Sequence, residues 1–178
     1  MRDREAREFI ASAVGESGGV WADIGAGTGT FTRGLRSLLS PGSRIYAVDR
    51  DPAAIAALRK IGDDVIPVQA DFSSEAFRLP GSDESAIDGI LLANALHFVP
   101  DLQNVLRRLV RLVKPGGRIV IVEYDRRAKS RWVPYPIASD RWAEVASAAG
   151  LERPTITARR PSEYAGELYC AVAETARL

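Results

Sequence analysis

The sequence predicts an α/β fold in which a mostly parallel sheet carries helices on both faces. Short runs rich in β-branched residues alternate with segments of helical periodicity, which is the pattern of parallel strands joined by crossover helices. The run over residues 87–93 is nearly all apolar, as expected of a strand covered on both sides. A glycine-rich segment at 25–29 lies between a strand and a helix, which is where sheets of this kind bind ligands.

Length and composition limit the class of protein. The chain has 178 residues, enough for one domain with a substantial core and too few for two of ordinary size, so we predict a single domain over residues 1–178. An apolar fraction of 46% and a charged fraction of 26% exclude disordered and collagen-like chains. The formal net charge of +1 does not favour a dedicated nucleic-acid binder, which usually carries a strong basic excess.

The single cysteine and the absence of long apolar runs indicate the cellular environment of the protein. Cys170 alone cannot form an intrachain disulfide or a cysteine-based zinc site. The charged residues 1–9 are not followed by the apolar stretch of a signal peptide, and no run approaches the roughly 20 apolar residues of a membrane span. We therefore expect a soluble, cytoplasmic protein without a membrane partner. The sequence does not predict its oligomeric state.

The first half of the chain is predicted to contain a leading helix and three strands with helices between them. The leading helix runs to about residue 14, and the strands cover residues 20–24, 44–49 and 65–69. Pro67 places the third strand at an edge or an end, because proline cannot donate to a neighbouring strand. Asp51 and Pro52 open the helix after the second strand, since Asp caps free amides and Pro has no amide that needs a partner.

The second half is predicted to add two strands, two helices and a closing pair of strands. After the strand at 87–93, a helix begins at Asp101, carries its apolar stripe to Val113 and ends at residues 114–117, because Pro resists a helix and Gly accepts the left-handed turn. The remaining elements are a strand at 118–123, an irregular basic and aromatic loop at 125–137, a helix at 139–149, and strands at 155–158 and 168–173.

The glycine-rich turn, residues 23–30, favours a cationic ligand over a dinucleotide. Nicotinamide- and flavin-binding turns follow G-x-G-x-x-G, but the third glycine counted from Gly25 is replaced by Thr30, and no P-loop Gly-Lys-Ser/Thr follows. The carboxylate of Asp23, at the mouth of the turn, would repel a pyrophosphate but attract a sulfonium or an ammonium group. The alternative interpretation is a strand-to-helix turn with no ligand.

Two further acids follow strands at the same edge of the sheet. Asp49 ends the second strand, near the roughly 20-residue spacing at which dinucleotide folds place a ribose-binding acid; otherwise it is a turn residue ahead of Asp51. Asp71 follows the third strand, where it can accept from an adenine amino group while Phe72 packs on the ring. Otherwise Asp71 is a helix cap and Phe72 a core aromatic.

Taken together, these segments resemble the class I S-adenosylmethionine-dependent methyltransferases, in particular the small single-domain ones. The resemblance is carried by residues 20–29, 46–49, 70–72, 94–98 and 112–117. It covers roughly residues 15–125 and, beyond them, the closing helix and strands. It implies a Rossmann-like, mostly parallel seven-stranded sheet with an antiparallel final hairpin. It also implies S-adenosylmethionine as methyl donor and S-adenosylhomocysteine as product.

The resemblance also implies a set of cofactor-binding residues. They are Asp23, Gly25, Ala26, Gly27, Asp49, Arg50, Asp71, Phe72 and Asn94. In the family's arrangement Asp23, Gly25 and Gly27 would line the methionine part. Asp49 would bind the ribose, and Asp71 with Phe72 would bind adenine. Asn94 would face the methionine amino group and the transferred methyl.

Differences from other methyltransferases argue against particular methylation reactions. Methyltransferases of DNA base amines place Asn/Asp-Pro-Pro-Tyr/Phe where this chain has Asn94-Ala95-Leu96-His97. Cytosine C5 methylation needs a nucleophilic cysteine, whereas Cys170 falls on a late strand as a small buried residue. No carboxylate cluster suited to a metal ion can be assembled, so we predict no metal.

His97 and the loop after the fifth strand are the candidates for acting on the methyl acceptor. Histidine ordinarily titrates near neutrality, which makes His97 the candidate general base; alternatively it only packs against the cofactor or the next helix. The cations and aromatic residues of the loop suit an anionic or aromatic acceptor, and otherwise form a solvated surface. The predicted acceptor-binding residues are Tyr124, Arg126, Arg127, Arg131, Trp132 and Tyr135.

Three functional hypotheses follow. The first is a methyltransferase acting on a small molecule, which the combined motifs favour. The second is a methyltransferase acting on RNA or protein, supported by the basic loop alone. The third is a nicotinamide-dependent oxidoreductase or a cofactor-binding protein without activity; Thr30 and Asp23 speak against the oxidoreductase, and the sequence leaves the inactive protein open.

Overall fold

The computed structural model describes residues 1–81, 86–125, 127–163 and 166–177. The helices are α1 (Asp3–Val14), α2 (Thr30–Arg36), α3 (Pro52–Leu58), α4 (Leu102–Val110) and α5 (Trp142–Ala148). The strands are β1 (Val20–Ile24), β2 (Arg44–Asp49), β3 (Val65–Gln69), β4 (Ile87–Ala93), β5 (Val113–Asp125), β6 (Leu151–Pro161) and β7 (Glu167–Thr175). Short 3-10 helices at Leu96–Phe98 and Ser139–Arg141 precede α4 and α5.

The strands form one seven-stranded sheet in the order β3-β2-β1-β4-β5-β7-β6. The pairs from β3 to β5 are parallel, and β7 runs antiparallel to both β5 and β6. This confirms the predicted sheet with its antiparallel final hairpin, and β3 lies at the edge, as Pro67 indicated. The strand order reverses at β1, which pairs with β2 on one side and β4 on the other, so a crevice opens at the carboxyl ends of β1 and β4.

Alternate side chains of β1 enter two separate cores. Trp21 packs with the buried residues of α1, α2 and α3, whereas Ala22 and Ile24 pack on the opposite face with α4 and α5. Gly89 of β4 makes room for the fully buried indole of Trp21, because a Cβ there would lie 2.6 Å from the ring. The sheet is therefore covered by helices on both faces, as predicted.

The prediction for the end of α4 was wrong. The helix ends at Val110, and Val113 belongs to β5, where it pairs with Ile87. The Leu112 carbonyl accepts the amides of Ala86 and Ile87, so the chain joins the sheet before it reaches the Pro-Gly-Gly segment. That segment, 115–117, lies within β5 at a register shift rather than terminating a helix.

The closing hairpin is longer than the sequence predicted. β6 and β7 extend beyond 155–158 and 168–173 because pairing continues to both ends of β7, with Glu174 opposite Arg118 and Glu167 opposite Asp125. The predicted helix at 139–149 is divided into the 3-10 turn and α5. None of the described helices is long and apolar enough to cross a membrane.

Candidate functional site

The glycine-rich loop after β1 is tied to the end of β2. The amides of Gly25 and Ala26 donate to the Val48 carbonyl at 2.8 and 2.9 Å. Gly25 has φ +75°, and a Cβ there would lie 2.7 Å from the Cβ of Ala95. Only glycine fits this position without strain or displacement of its neighbour, so the backbone itself forms the surface of the crevice.

Asp23 lies beneath this loop and is fully buried. The Thr32 hydroxyl donates to its Oδ2 at 2.6 Å, and its Oδ1 has no hydrogen-bond partner among the described residues. Burial raises the pKa of Asp23 to about 7, the Thr32 hydrogen bond opposes this rise, and the charge of Asp49 adds to it. The loop therefore rests on a buried carboxyl group whose second oxygen is free to accept.

A first cavity of about 200 Å³ opens at the carboxyl ends of β1, β2 and β4. Six of the nine predicted cofactor-binding residues line it: Gly25, Asp49, Arg50, Asp71, Phe72 and Asn94. Asp23, Ala26 and Gly27 are adjacent in the chain but are not among its lining residues. The sequence did not single out the remaining lining residues, Ala70, Ser73, Ala95, Phe98 and Val99.

The two acids of the first cavity also organise its loops. Asp49 accepts from the Gly27 amide at 2.8 Å through Oδ2 and from the Asp51 amide at 2.9 Å through Oδ1. Asp71 accepts from the amide and the hydroxyl of Ser73 at 2.9 and 2.6 Å. The Ser73 hydroxyl holds the pKa of Asp71 below its ordinary value against a smaller effect of burial. Asp49 therefore has the turn role considered for it. The helix cap considered for Asp71 is wrong, because Asp71 forms a turn with Ser73 and no helix follows it in the described residues before β4.

Asn94 stands where three cavities meet. It lines the first cavity, a second one with Thr30 and Phe31, and a third one with His97. Its backbone has φ +55°, uncommon for a residue other than glycine, and its amide donates to the Val122 carbonyl at 2.8 Å. The side-chain Oδ1 is buried and has no hydrogen-bond partner among the described residues. A buried amide oxygen of this kind calls for a donor from a ligand or from water.

The third cavity has a volume of about 450 Å³. It lies beside the loop at residues 125–137, which carries most of the predicted acceptor-binding residues and is called the acceptor loop here. It is lined by Asn94, His97, Phe98, Tyr124, Arg127, Trp132 and Val133. Three of the predicted acceptor-binding residues, Tyr124, Arg127 and Trp132, are among them. Arg131 and Tyr135 lie within two residues of the lining residues Trp132 and Val133 in the chain but do not line the cavity. Arg126 lies outside the described residues.

Exposed aromatic rings and cations surround the third cavity. Phe98, Trp132 and Tyr135 are the large apolar side chains that stay exposed in the described part of the chain, at 51%, 64% and 41%. Arg127 stacks on the Tyr124 ring at 4.5 Å, and Arg131 stacks on Trp132 at 4.6 Å. Within the described ranges neither guanidinium has a carboxylate within ion-pair distance, so the rim carries uncompensated positive charge.

Asp125, the last residue of β5, holds the two ends of the acceptor loop together and joins them to β6. Its carboxylate accepts from the amide and hydroxyl of Ser139 at 2.9 and 2.8 Å and from Arg159 at 2.6 Å. Burial raises the pKa of Asp125, but the hydrogen bonds from Ser139 and Arg159 outweigh burial and leave it below the ordinary value. The loop is therefore anchored firmly at 125 and 139.

Besides those lining residues, the structure adds a charged site residue that the sequence did not predict, Glu123. It is fully buried at the end of β5, and its Oε2 lies 2.6 Å from His97 Nδ1. The signal in the sequence was a single acid closing the apolar run 119–122, a place where a buried charge needs a partner. Cys170, in contrast, is buried on β7, and burial raises the pKa of its thiol to about 12, which leaves it unreactive as a nucleophile.

Comparison with known proteins identifies the family. The family model described as a methyltransferase domain matches residues 22–119, which include the loop, both acids of the first cavity, and His97. The chain belongs to the methyltransferase domain family. The class I resemblance is thereby confirmed.

Two relatives show the level of sequence identity between this chain and other methyltransferases. This methyltransferase domain is 28% identical over 110 residues to the ubiquinone/menaquinone biosynthesis C-methyltransferase UbiE of Hahella chejuensis, covering 58% of this chain and 42% of the relative. It is 32% identical over 111 residues to an uncharacterized methyltransferase of Mycobacterium bovis, covering 62% of this chain and 42% of the relative. The chain thus spans less than half the length of these relatives.

A solved structure shows the same fold. The 1,6-didemethyltoxoflavin-N1-methyltransferase of Burkholderia thailandensis, solved with 1,6-didemethyltoxoflavin and S-adenosylhomocysteine, superposes with a TM-score of 0.75 at 24% identity. The match covers 98% of this chain and 78% of that protein. The Rossmann-like methyltransferase architecture therefore extends over nearly the whole chain.

Proposed function

We propose that this domain binds S-adenosylmethionine and transfers its methyl group to a small-molecule acceptor. The observation that carries the proposal is a pair of buried acceptor oxygens that have no hydrogen-bond partner in the described part of the chain, Asp23 Oδ1 below the loop and Asn94 Oδ1 at the meeting of the cavities. Buried acceptors without donors cost about 1–3 kcal/mol each. A ligand that brings an ammonium group and a sulfonium charge supplies a donor and the positive charge that this region lacks.

The acids of the first cavity support the same ligand. In this proposal Asp49 accepts from the ribose hydroxyls, and Asp71 and Phe72 hold the adenine. Arg50 is the one basic side chain among the described residues that line this cavity, against two carboxylates. A nicotinamide dinucleotide would bring a doubly charged pyrophosphate to this acidic wall, which Coulomb repulsion opposes.

The chemistry needs alignment more than acid–base assistance. When bound, S-adenosylmethionine supplies a methyl group on a positively charged sulfur, which leaves with the electron pair of the broken carbon–sulfur bond. The chain's own residues then have to place an acceptor in line with that methyl. Asn94 belongs to both the first and the third cavity, so it marks where the two ligands would meet.

The third cavity supports a small acceptor. Its volume of about 450 Å³ and its aromatic wall suit a small-molecule ligand, and the Burkholderia thailandensis neighbour was solved with such a molecule. The same proposal treats residues 1–178 as one catalytic domain. Its acceptor-binding surface is formed by Tyr124 of β5 and the loop residues Arg126, Arg127, Arg131, Trp132 and Tyr135.

Calorimetry tests the proposal directly. The protein is titrated with S-adenosylmethionine, S-adenosylhomocysteine and NAD, and we expect the first two to bind and NAD not to bind. Binding of NAD without binding of the methionine-derived ligands would refute it. A screen for S-adenosylhomocysteine release with small molecules, RNA and protein extracts then separates the acceptor classes, and turnover with RNA or protein alone would refute the small-molecule part.

A further inference from the structure

The turn that follows β3 forms one wall of the first cavity. Asp71, Phe72 and Ser73 line the cavity from this side. The Ser74 amide donates to the Asp71 carbonyl at 3.1 Å, and the Phe77 amide donates to the Ser74 carbonyl at 3.1 Å. No helix follows this turn in the described residues before β4, so the turn lacks the support that a helix packed on the sheet would give.

Arg108 of α4 holds this turn from outside the cavity. Its Nη1 donates to the Ser74 carbonyl, and its Nη2 donates to the Ser73 carbonyl at 2.9 Å. The other hydrogen bonds that residues 71–78 form with described residues stay inside that segment. Arg108 therefore supplies the hydrogen bonds that tie the turn to a distant element.

The position is an unusual one for a positive charge. Arg108 is half-buried, its two partners are neutral carbonyls, and no carboxylate of the described residues lies within ion-pair distance of it. Its Nε is buried and has no hydrogen-bond partner among the described residues. A guanidinium placed in this way gives up part of its hydration without gaining an opposite charge, so its net contribution to stability is small. The order that it gives to the turn explains the arginine better than stability does.

The opposite wall of the same cavity also belongs to α4. Phe98 and Val99 line that wall and lie just before Asp101, which caps α4 by accepting from the Asn104 amide at 3.2 Å. Three buried residues fix the helix to the core on this face of the sheet: Val105, Leu106 and Leu109. One wall is therefore joined to α4 by the chain and the other by Arg108, so α4 sets the separation of the two walls.

We propose that Arg108 is a positioning residue that keeps Asp71 and Phe72 in the cavity wall and thereby gives the site its selectivity for an adenine ring. This inference rests on the proposed binding of S-adenosylmethionine. Asp71 accepts from the exocyclic amino group of the base, and Arg108 acts only through the turn, because it does not itself line the cavity. Without the guanidinium the turn can move away from α4, and the amino group loses its acceptor.

A matched pair of ligands measures this selectivity. S-adenosylhomocysteine carries the exocyclic amino group, whereas S-inosylhomocysteine carries a carbonyl oxygen in its place, which a carboxylate repels. We expect the wild type to bind S-adenosylhomocysteine roughly tenfold more tightly than S-inosylhomocysteine in calorimetry. In Arg108→Ala the ratio of the two dissociation constants should approach one, because only the adenine-containing ligand loses a contact. A wild-type ratio near one, or a ratio that Arg108→Ala leaves unchanged, would overturn the proposal.

Arg107→Ala is the matched control. Arg107 lies next to Arg108 on α4 and also donates to a carbonyl, that of Ala148 at 3.0 Å, but Ala148 ends α5 and does not line the cavity. The substitution removes the same charge and a hydrogen bond of the same kind, so a general loss of helix stability would affect both variants alike. We expect the ratio for Arg107→Ala to equal that of the wild type. An equal fall in both variants would assign the effect to α4 as a whole and overturn the role of Arg108.

A second measurement follows the turn without any ligand. Relaxation of ¹⁵N nuclei in NMR reports the fast motion of the backbone amides of Ser73 and Ser74. We expect these amides to be less ordered in Arg108→Ala than in the wild type and in Arg107→Ala. Unchanged order in a folded Arg108→Ala protein would overturn the positioning role.

The results separate this inference from the proposed function. Wild-type protein that does not bind S-adenosylhomocysteine would defeat the proposed function, while the relaxation measurement needs no ligand. Binding of S-adenosylhomocysteine by the wild type, with the same ligand selectivity in Arg108→Ala, would defeat only the role of Arg108.

Discussion

The carboxylate of Asp49 and the amide of Gly27 are joined by a 2.8 Å hydrogen bond that links the end of β2 to the glycine-rich loop after β1. The residue proposed to hold the ribose therefore also shapes the loop beside it. A second bond, from the Asp51 amide, holds the same carboxylate from the other side. Ligand affinity and loop order should accordingly change together when Asp49 is replaced.

Asp49→Ala should weaken S-adenosylhomocysteine binding by roughly ten- to a hundredfold, because a charged hydrogen-bond acceptor is worth about 1.5–3 kcal/mol. Calorimetry measures the change. Asp51→Ala is the control: Asp51 caps α3 through the Ala53 amide at 2.9 Å and does not line the first cavity. It should cost about 0.5–2 kcal/mol of stability with little change in affinity. Equal affinities for Asp49→Ala and wild type would show that the ribose contact is assigned to the wrong residue.

Gly25→Ala should abolish S-adenosylhomocysteine binding, because its methyl would lie 2.7 Å from the Ala95 Cβ and must displace the loop or the strand end. Gly42→Ala is the control with the same kind of backbone strain. Gly42 has φ +86°, but a Cβ there would lie more than 4 Å from every atom of the described residues outside its immediate chain neighbours. It should cost about 1 kcal/mol of stability, with affinity retained. A thermal-shift assay with and without ligand reports both quantities. If the two variants behave alike, steric contact at Gly25 is unimportant.

Asp23→Asn should change how the stability of the unliganded protein depends on pH. Burial raises the pKa of Asp23 to about 7, against an ordinary value of 3.8, so between these values the folded state keeps a proton that the unfolded chain has released. The free energy of unfolding of the wild type therefore falls as the pH rises from about 4 to about 7, by roughly 1.4 kcal/mol per pH unit at most. Asparagine cannot titrate.

Urea denaturation at about pH 5 and about pH 8 compares the two proteins. We expect Asp23→Asn to gain stability relative to the wild type at the higher pH. The comparison uses the difference between the proteins, so that the titration of other groups cancels. A constant difference across both pH values would mean that Asp23 is ionised throughout this range in the folded protein.

Replacing Arg127 and Arg131 by Ala should weaken binding of an anionic aromatic probe, 6-hydroxy-2-naphthoate, by roughly tenfold and leave S-adenosylhomocysteine affinity unchanged. Both guanidiniums stack on rings at the third cavity and have no ion-pair partner in the described part of the chain. The loss should shrink as salt rises, because exposed charges are screened. Arg111→Ala, at an exposed cation after α4, serves as control. Full affinity in the double variant would make the loop a solvated surface.

The local order of elements was predictable because each depends on neighbours in the chain. The strand runs, the Asp51 cap with Pro52, and the edge position implied by Pro67 all appear in the structure. The end of α4 was not predictable in this way. Leu112 and Val113 continue a helical stripe, yet the amides of Ala86 and Ile87 bind the Leu112 carbonyl, and such a distant partner leaves no trace in local periodicity.

The sequence by itself determined the parallel sheet, the glycine-rich turn, its acids and the family. Those depend on residue type and spacing, because a turn with positive φ favours glycine and a buried strand favours apolar residues. Only the tertiary structure decided that Asp23 lies under the loop, that Asn94 joins three cavities, and that Glu123 meets His97. Asn94, His97 and Glu123 lie at the ends of β4 and β5, two strands separated by α4 in the chain, and parallel pairing is what brings those ends together.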